Sequence, residues 1–152
     1  MSDLLFLNPA CSVFSDFSAY HCIMSPEIPT DRTIYEGEIA TYWFEDEILV
    51  ALSKPVSRTV GLIRGNVGLV KKITNNKPVP LLIYLTKSPM PDKETRAFSA
   101  KMVPENYSAM AMVAPSGLAS FIMKTVFMFQ KPPIPVKSFR DHQKAKAWLK
   151  TL

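Results

Sequence analysis

The apolar positions of this chain change period several times between residues 38 and 152, and each change marks an element. Glu38-Ile-Ala-Thr-Tyr-Trp-Phe44 and Ile48-Leu-Val-Ala-Leu52 are rich in β-branched and aromatic residues and flank the polar break Glu45-Asp46-Glu47. That pattern predicts an antiparallel hairpin. Neighbouring side chains alternate faces along a strand, so Tyr42 and Trp43 point in opposite directions, one expected in the core and the other partly exposed. From Val56 the period lengthens: Val56, Val60, Ile63, Val67 and Val70 recur at steps of three and four, which predicts a helix over 56–73. Gly61, Gly65 and Gly68 form a second stripe on it. Each glycine costs a helix about 1 kcal/mol relative to alanine, so the stripe suggests close packing of the helix backbone against a neighbour. Asn75-Asn76-Lys77-Pro78 ends the helix.

Val79-Pro-Leu-Leu-Ile-Tyr-Leu85 is a short apolar run bounded by turn residues, as expected of a strand covered on both faces. Asp92 is placed to cap a helix from Lys93 to about Val103 with Ala97, Phe98 and Met102 turned inward, and Glu105-Asn106 to turn the chain. Tyr107–Ala114 follows as a strand, and Pro115-Ser116-Gly117 as a strand-to-helix turn with Ser116 as N-cap. Leu118, Phe121, Ile122, Val126 and Phe129 then mark an apolar helix over 117–129. Pro132-Pro133 stops it, Val136–Phe139 is a last strand, and Asp141 caps a final helix with the stripe Ala145, Trp148, Leu149 and Leu152. The order is β-β-α-β-α-β-α-β-α. Such alternation predicts an α/β fold: a single mixed sheet with an N-terminal β-hairpin, its later strands largely parallel and joined by right-handed crossovers.

Composition adds bounds. At 152 residues, with 47% apolar and 20% charged residues, the chain reads as one ordinary globular domain, 32–152, preceded by a poorly ordered extension, 1–31, in which Asn8-Pro9, Ser25-Pro26 and Ile28-Pro29 break every apolar patch. The most apolar run, Leu118–Phe129, carries Lys124 and is shorter than the roughly 18 residues of a membrane span. Two cysteines, Cys11 and Cys22, are too few for a disulfide framework, and the N-terminus has no basic leader segment; both point to the cytoplasm. Charge is split along the chain: residues 1–47 hold nine acidic groups and one basic group, residues 48–152 seventeen basic and four acidic. A solvated basic surface or an anionic partner accounts for this. The basic residues are scattered and not interleaved with aromatics, which speaks against nucleic acid.

Four stretches carry a family resemblance: the hairpin TYWFEDEILVAL, the strand-turn-helix MVAPSGLASFI, the elbow Lys131-Pro-Pro-Ile-Pro135, and the closing Phe139-Arg-Asp141 with Ala145-Lys-Ala-Trp-Leu149. Over about residues 34–152 the chain resembles an uncharacterised bacterial family of small STAS-like domains. That superfamily includes the anti-sigma-factor antagonists and is often labelled together with the SEC14 lipid-transfer group. The resemblance implies a regulatory or protein-interaction module and not an enzyme, with a regulatory protein or a second copy of the chain as partner. Partner-switching relatives carry a phosphorylatable serine after a central strand; the matching place here is Thr86-Lys87-Ser88-Pro89, which makes Thr86 and Ser88 the candidate phosphoacceptors. The aspartate of that turn is missing, Pro89 follows Ser88, and Glu47 stands where the family's hairpin has a glycine.

The chemistry visible in the residues is slight. Cys11, His21 and Cys22 lack the paired spacing of a metal site. Neither His21 nor His142 is placed beside a candidate nucleophile and acid, and Pro-Ser116-Gly is not a nucleophile elbow. No cofactor is implied. The alternative to protein interaction is a small anionic or amphipathic, lipid-like ligand. The N–H groups at the start of the 117–129 helix, at Ser116 and Gly117, with Lys87 or Lys93 nearby, suit an anion. Met102, Met110, Met112, Met123 and Met128 suit either an apolar ligand or plain core filling.

Overall fold

The computed structural model describes residues 26–114, 117–118 and 131–152. Residues 1–25 of the expected extension over 1–31, with Cys11, His21 and Cys22 among them, the cap at Ser116 and most of the helix expected over 117–129 lie outside the described residues. What is described is a six-stranded sheet in sequential order: β1 (Tyr35–Glu36), β2 (Ala40–Glu45), β3 (Ile48–Ser53), β4 (Val79–Tyr84), β5 (Tyr107–Val113) and β6 (Val136–Phe139). The first three strands pair antiparallel, the last four parallel. Helix α1 (Val60–Ile73) joins β3 to β4, α2 (Lys93–Asn106) joins β4 to β5, and α3 (His142–Leu149) follows β6.

The hairpin closes at Asp46, whose left-handed φ of 56° an aspartate tolerates better than most residues. β1 is a two-residue addition that the hydrophobic pattern does not reveal. It turns into β2 through Gly37, where a Cβ would stand 2.8 Å from the Ala40 carbonyl oxygen. Proline is tolerated inside β4 because the register with β5 shifts at Val79/Pro80, a bulge that removes the need for a ladder donor.

Helix α1 begins at Val60, four residues later than the valine stripe suggests. Thr59 takes extended angles while its side chain accepts from the Leu62 N–H at 3.2 Å, a cap that sets the first helical turn after it. The segment Val56–Arg58 is therefore a connection and not a first helical turn. Asn75 and Asn76 both adopt positive φ, and Asn76 N–H reaches the Lys71 carbonyl at 2.8 Å, which ends the helix as expected. The glycine stripe packs less closely than predicted. A Cβ at Gly65 would come no nearer than 3.9 Å to Glu38, and one at Gly68 would meet nothing within 4 Å.

Helix α2 starts at the predicted Asp92 cap but runs three residues past Val103, through Pro104, which gives up one backbone hydrogen bond within the helix. Ala97 is exposed, and the buried positions are Thr95 and Asn106, because α2 packs sideways on α1 as well as on the sheet. Arg64 lies over the Phe98 ring and Lys71 pairs with Glu105 at 3.0 Å. In α3, Ala145 and Leu149 are buried as predicted, whereas Leu152 follows the helix and is 68% exposed.

Two cores result, one on each face of the sheet. Trp43, Val50, Leu82, Tyr84 and Ala111 pack under α3 with Ala145 and Leu149. Tyr42, Leu49, Ala51 and Leu81 pack under α1 with Val70. Both faces are covered, so Trp43 and Tyr42 are both buried, at 1% and 3% exposure, where one was expected to reach solvent.

Candidate functional site: an apolar cavity with arginines in its wall

The face under α1 and α2 does not close. Between those helices and the sheet lies a cavity of about 260 Å³. Its long walls are apolar: Ile63 and Val67 from α1, Met102 and Val103 from α2, and Leu81, Ile83, Met110 and Met112 from β4 and β5. It extends to the carboxyl ends of β3 and β4, where Ser53, Arg58, Thr86 and Ser88 enter its lining; crevices at carboxyl strand ends are where open α/β sheets commonly bind ligands.

The polar end is built around Arg58. The proline-initiated connection before α1 brings its guanidinium back over the end of β3. There Nη2 donates to Ser53 Oγ and Nη1 to Ser88 Oγ, both at 2.6 Å. Thr86 Oγ1 donates to the Ser53 carbonyl at 2.9 Å, which fixes the loop after β4 against β3. Burial pulls the Arg58 pKa below its ordinary value, yet guanidinium stays protonated at any physiological pH. Among the described residues no carboxylate pairs with it. The second arginine in the lining, Arg96, donates to the Pro91 carbonyl at 2.7 Å and anchors the loop to α2. No Asp, Glu, Lys or His contributes to the described lining, so the charge in it is wholly positive.

Other polar groups enter the wall further in. The Tyr42 hydroxyl donates to Asn66 Oδ1 at 2.8 Å. Burial raises the Tyr42 and Tyr107 pKa values, so both phenols stay neutral. Asn106, 3% exposed, spends its amide on the Met102 carbonyl at 2.7 Å and leaves Oδ1 without a partner.

The opposite face holds a second polar cluster. His142, in the first turn of α3, hydrogen-bonds the Tyr84 hydroxyl through Nδ1 and Glu45 Oε2 through Nε2, the latter at 3.1 Å. Glu45 also accepts from Trp43 Nε1 at 3.1 Å and pairs with Lys146 at 3.1 Å; Asp46 pairs with Lys146 and Lys150 at 3.3 and 2.8 Å. Burial, then the nearby Glu45 and Asp141 charges, push the Tyr84 pKa up to about 12. A tyrosine-histidine-carboxylate row has the parts of an acid–base relay. Here every named group is spent on its neighbours, and the row fastens α3 to the hairpin tip.

The sequence-derived candidates divide accordingly. Thr86 and Ser88 stand at the polar end of the cavity, in contact with Ser53 and Arg58. Lys87 and Lys93 are exposed and do not line the cavity. Gly117, at φ 92°, is exposed; Leu118 beside it does line the cavity. Sequence reasoning missed Arg58 and Asn106. Arg58 falls within the helix expected over 56–73; the signal that corrects this is Thr59, an N-cap residue that leaves Arg58 in the connection before α1.

Among the described residues, no helix is long and apolar enough to cross a membrane. No curated protein matches the sequence. Among solved structures, an uncharacterised protein of the DUF3478 family from Shewanella loihica PV-4, described as having a SpoIIAA-like fold, is similar over 78% of this chain and 91% of its own, at 16% identity and a TM-score of 0.48. A likeness that distant carries no argument about this chain, whose architecture rests on its own strand pairing. The sequence match is broader in consequence: residues 42–152, which run from the Tyr42 of the cavity wall to beyond α3, fit a family model described as a domain of unknown function, DUF7793. The chain belongs to that family.

Proposed function

We propose that the domain is a non-catalytic binding module whose cavity receives a small amphipathic anion. The observation that supports this reading is the pairing of an apolar cavity with a guanidinium drawn out of water and facing no carboxylate among the described residues. Withdrawing a cation from solvent is unfavourable unless a counter-charge or hydrogen bonds compensate. Two serine hydroxyls compensate only in part, and an anionic group entering the cavity would complete the match. Differential scanning fluorimetry with sodium octanoate tests it: binding to the folded state alone raises the thermal midpoint in proportion to ligand concentration. An unchanged midpoint up to millimolar octanoate contradicts it. The non-catalytic part is checked by recovering the ligand unaltered after long incubation.

The regulatory role implied by the STAS resemblance attaches to the same loop. Met90, 46% exposed, stands beside Ser88 in the segment Thr86–Pro91 that lines the cavity. A protein partner reading this loop would sense whether the cavity is filled. Under this reading Lys87→Ala, in the same loop but outside the cavity lining, weakens the complex with that partner and leaves octanoate binding intact; loss of both, or of neither, contradicts it.

A further inference from the structure

The cavity's dimensions and donors narrow the ligand class, an inference that rests on the binding reading above. At about 30 Å³ per water-sized group, 260 Å³ accommodates roughly nine such groups, far short of a two-chain lipid. The Arg58 guanidinium is planar, and with Nη1 and Nη2 each giving one hydrogen to a serine, its remaining N–H donors are left for a ligand. Each of those serine oxygens accepts from Arg58, so the hydroxyl hydrogen of Ser88 is free to turn toward a ligand, and that of Ser53, which also has Thr86 Oγ1 at 3.4 Å, can turn toward the same point. This set suits a carboxylate, which takes paired N–H and O–H donors in one plane. It also suits a single negative charge, because the donors gathered at this point among the described residues carry one positive charge, on Arg58, and a dianion there would leave one charge unmatched by it in a partly desolvated place. Beyond the head, the walls are Ile63, Val67, Ile83, Met110 and Met112, with flexible methionines able to fit an alkyl chain. The buried, unpartnered Oδ1 of Asn106 in the same lining needs a donor that an alkyl chain lacks, so a water held beside the chain is its expected partner.

We propose that the ligand is a medium-chain monocarboxylate, its head seated on Arg58 between the Ser53 and Ser88 hydroxyls and its alkyl chain lying between α1 and the sheet. Affinity then grows by about fourfold per methylene up to a chain near octanoate and stops growing once the cavity is full.

Titration calorimetry on the full chain compares octanoate, 1-octanol and octyl phosphate. The proposal expects octanoate to bind at least about tenfold more tightly than octanol, with Arg58→Gln reducing octanoate to the level of octanol. It also expects Val67→Phe, which fills the cavity with a ring, to abolish octanoate binding while the thermal midpoint holds or rises. If Arg58→Gln fails to fold, the wild-type octanoate-to-octanol ratio and Val67→Phe still decide. Octanol binding as tightly as octanoate overturns the carboxylate seat and leaves the cavity reading standing. Octyl phosphate binding more tightly than octanoate overturns the monocarboxylate assignment in favour of a phosphate head. Undiminished binding by Val67→Phe places the chain elsewhere and overturns the proposal. Binding of none of the three overturns the cavity reading itself.

Discussion

The two faces of this sheet are built from the same strands and end up as opposites. Under α3, Trp43, Val50, Leu82 and Tyr84 meet a helix that brings its own polar fastening, with Tyr84, His142, Glu45 and Lys146 answering one another. Under α1 and α2, the matching positions Tyr42, Leu81 and Ile83 border a cavity whose wall contains a guanidinium that meets no carboxylate among the described residues. The difference is one of satisfaction. A face whose polar groups find partners within the chain contributes to stability, and a face that leaves a cation and an amide oxygen unmatched is shaped for something else. Neighbouring residues on one strand, Tyr42 and Trp43, serve the two purposes.

Truncations on the two faces should separate most strongly. Trp43→Ala removes a fully buried ring from the closed face and is expected to cost about 3–5 kcal/mol in urea unfolding. Val67→Ala, which only enlarges an existing cavity, should cost about 1 kcal/mol, toward the low end of large-to-small substitutions. Equal costs would erase the distinction between the faces. Tyr84→Phe leaves His142 Nδ1 without its partner and should cost about 1–3 kcal/mol, again with no effect on octanoate binding.

The fastening should also show in acid. Burial of Glu45 opposes its ionisation, but the Trp43 indole, Lys146 and His142 outweigh burial and hold its carboxyl below the ordinary glutamate range. A carboxylate depressed in the folded state contributes stability that is present above its unfolded pKa and is lost as pH falls through its folded pKa. Chemical denaturation from neutral pH down through the carboxylate range should therefore show wild type losing more stability than Glu45→Gln. Parallel curves would mean that the α3 fastening is not electrostatic. The smallest effect is expected far from either core. Gly68→Ala adds a methyl where nothing stands within 4 Å and should stabilise α1 by about 0.5–1 kcal/mol; destabilisation would show that a neighbour outside the described residues uses that glycine.

Much of the fold was legible because its signals are local. Runs of β-branched and aromatic residues on either side of the polar break Glu45–Glu47 gave β2 and β3, and the capping residues Asp92 and Asp141 located the starts of α2 and α3. The burial of both Tyr42 and Trp43 was not legible, since it depends on helices that cover the hairpin from far along the chain. The start of α1 was misread because Val56 satisfies the hydrophobic spacing, while the Thr59 cap decides the outcome. Of the site, the resemblance drew attention to Thr86 and Ser88. Arg58 escaped because an arginine near a helix start reads as solvated, and what withdraws it from water is a loop thirty residues away.

The central claim, that one face binds and the other holds the fold together, is tested most directly by mapping amide chemical shifts during an octanoate titration. The account predicts progressive shifts at Ser53, Arg58, Thr86 and Ser88, with Ala145, Leu149 and the Trp43 indole unmoved. Shifts centred on α3, or none at saturating octanoate, would contradict it.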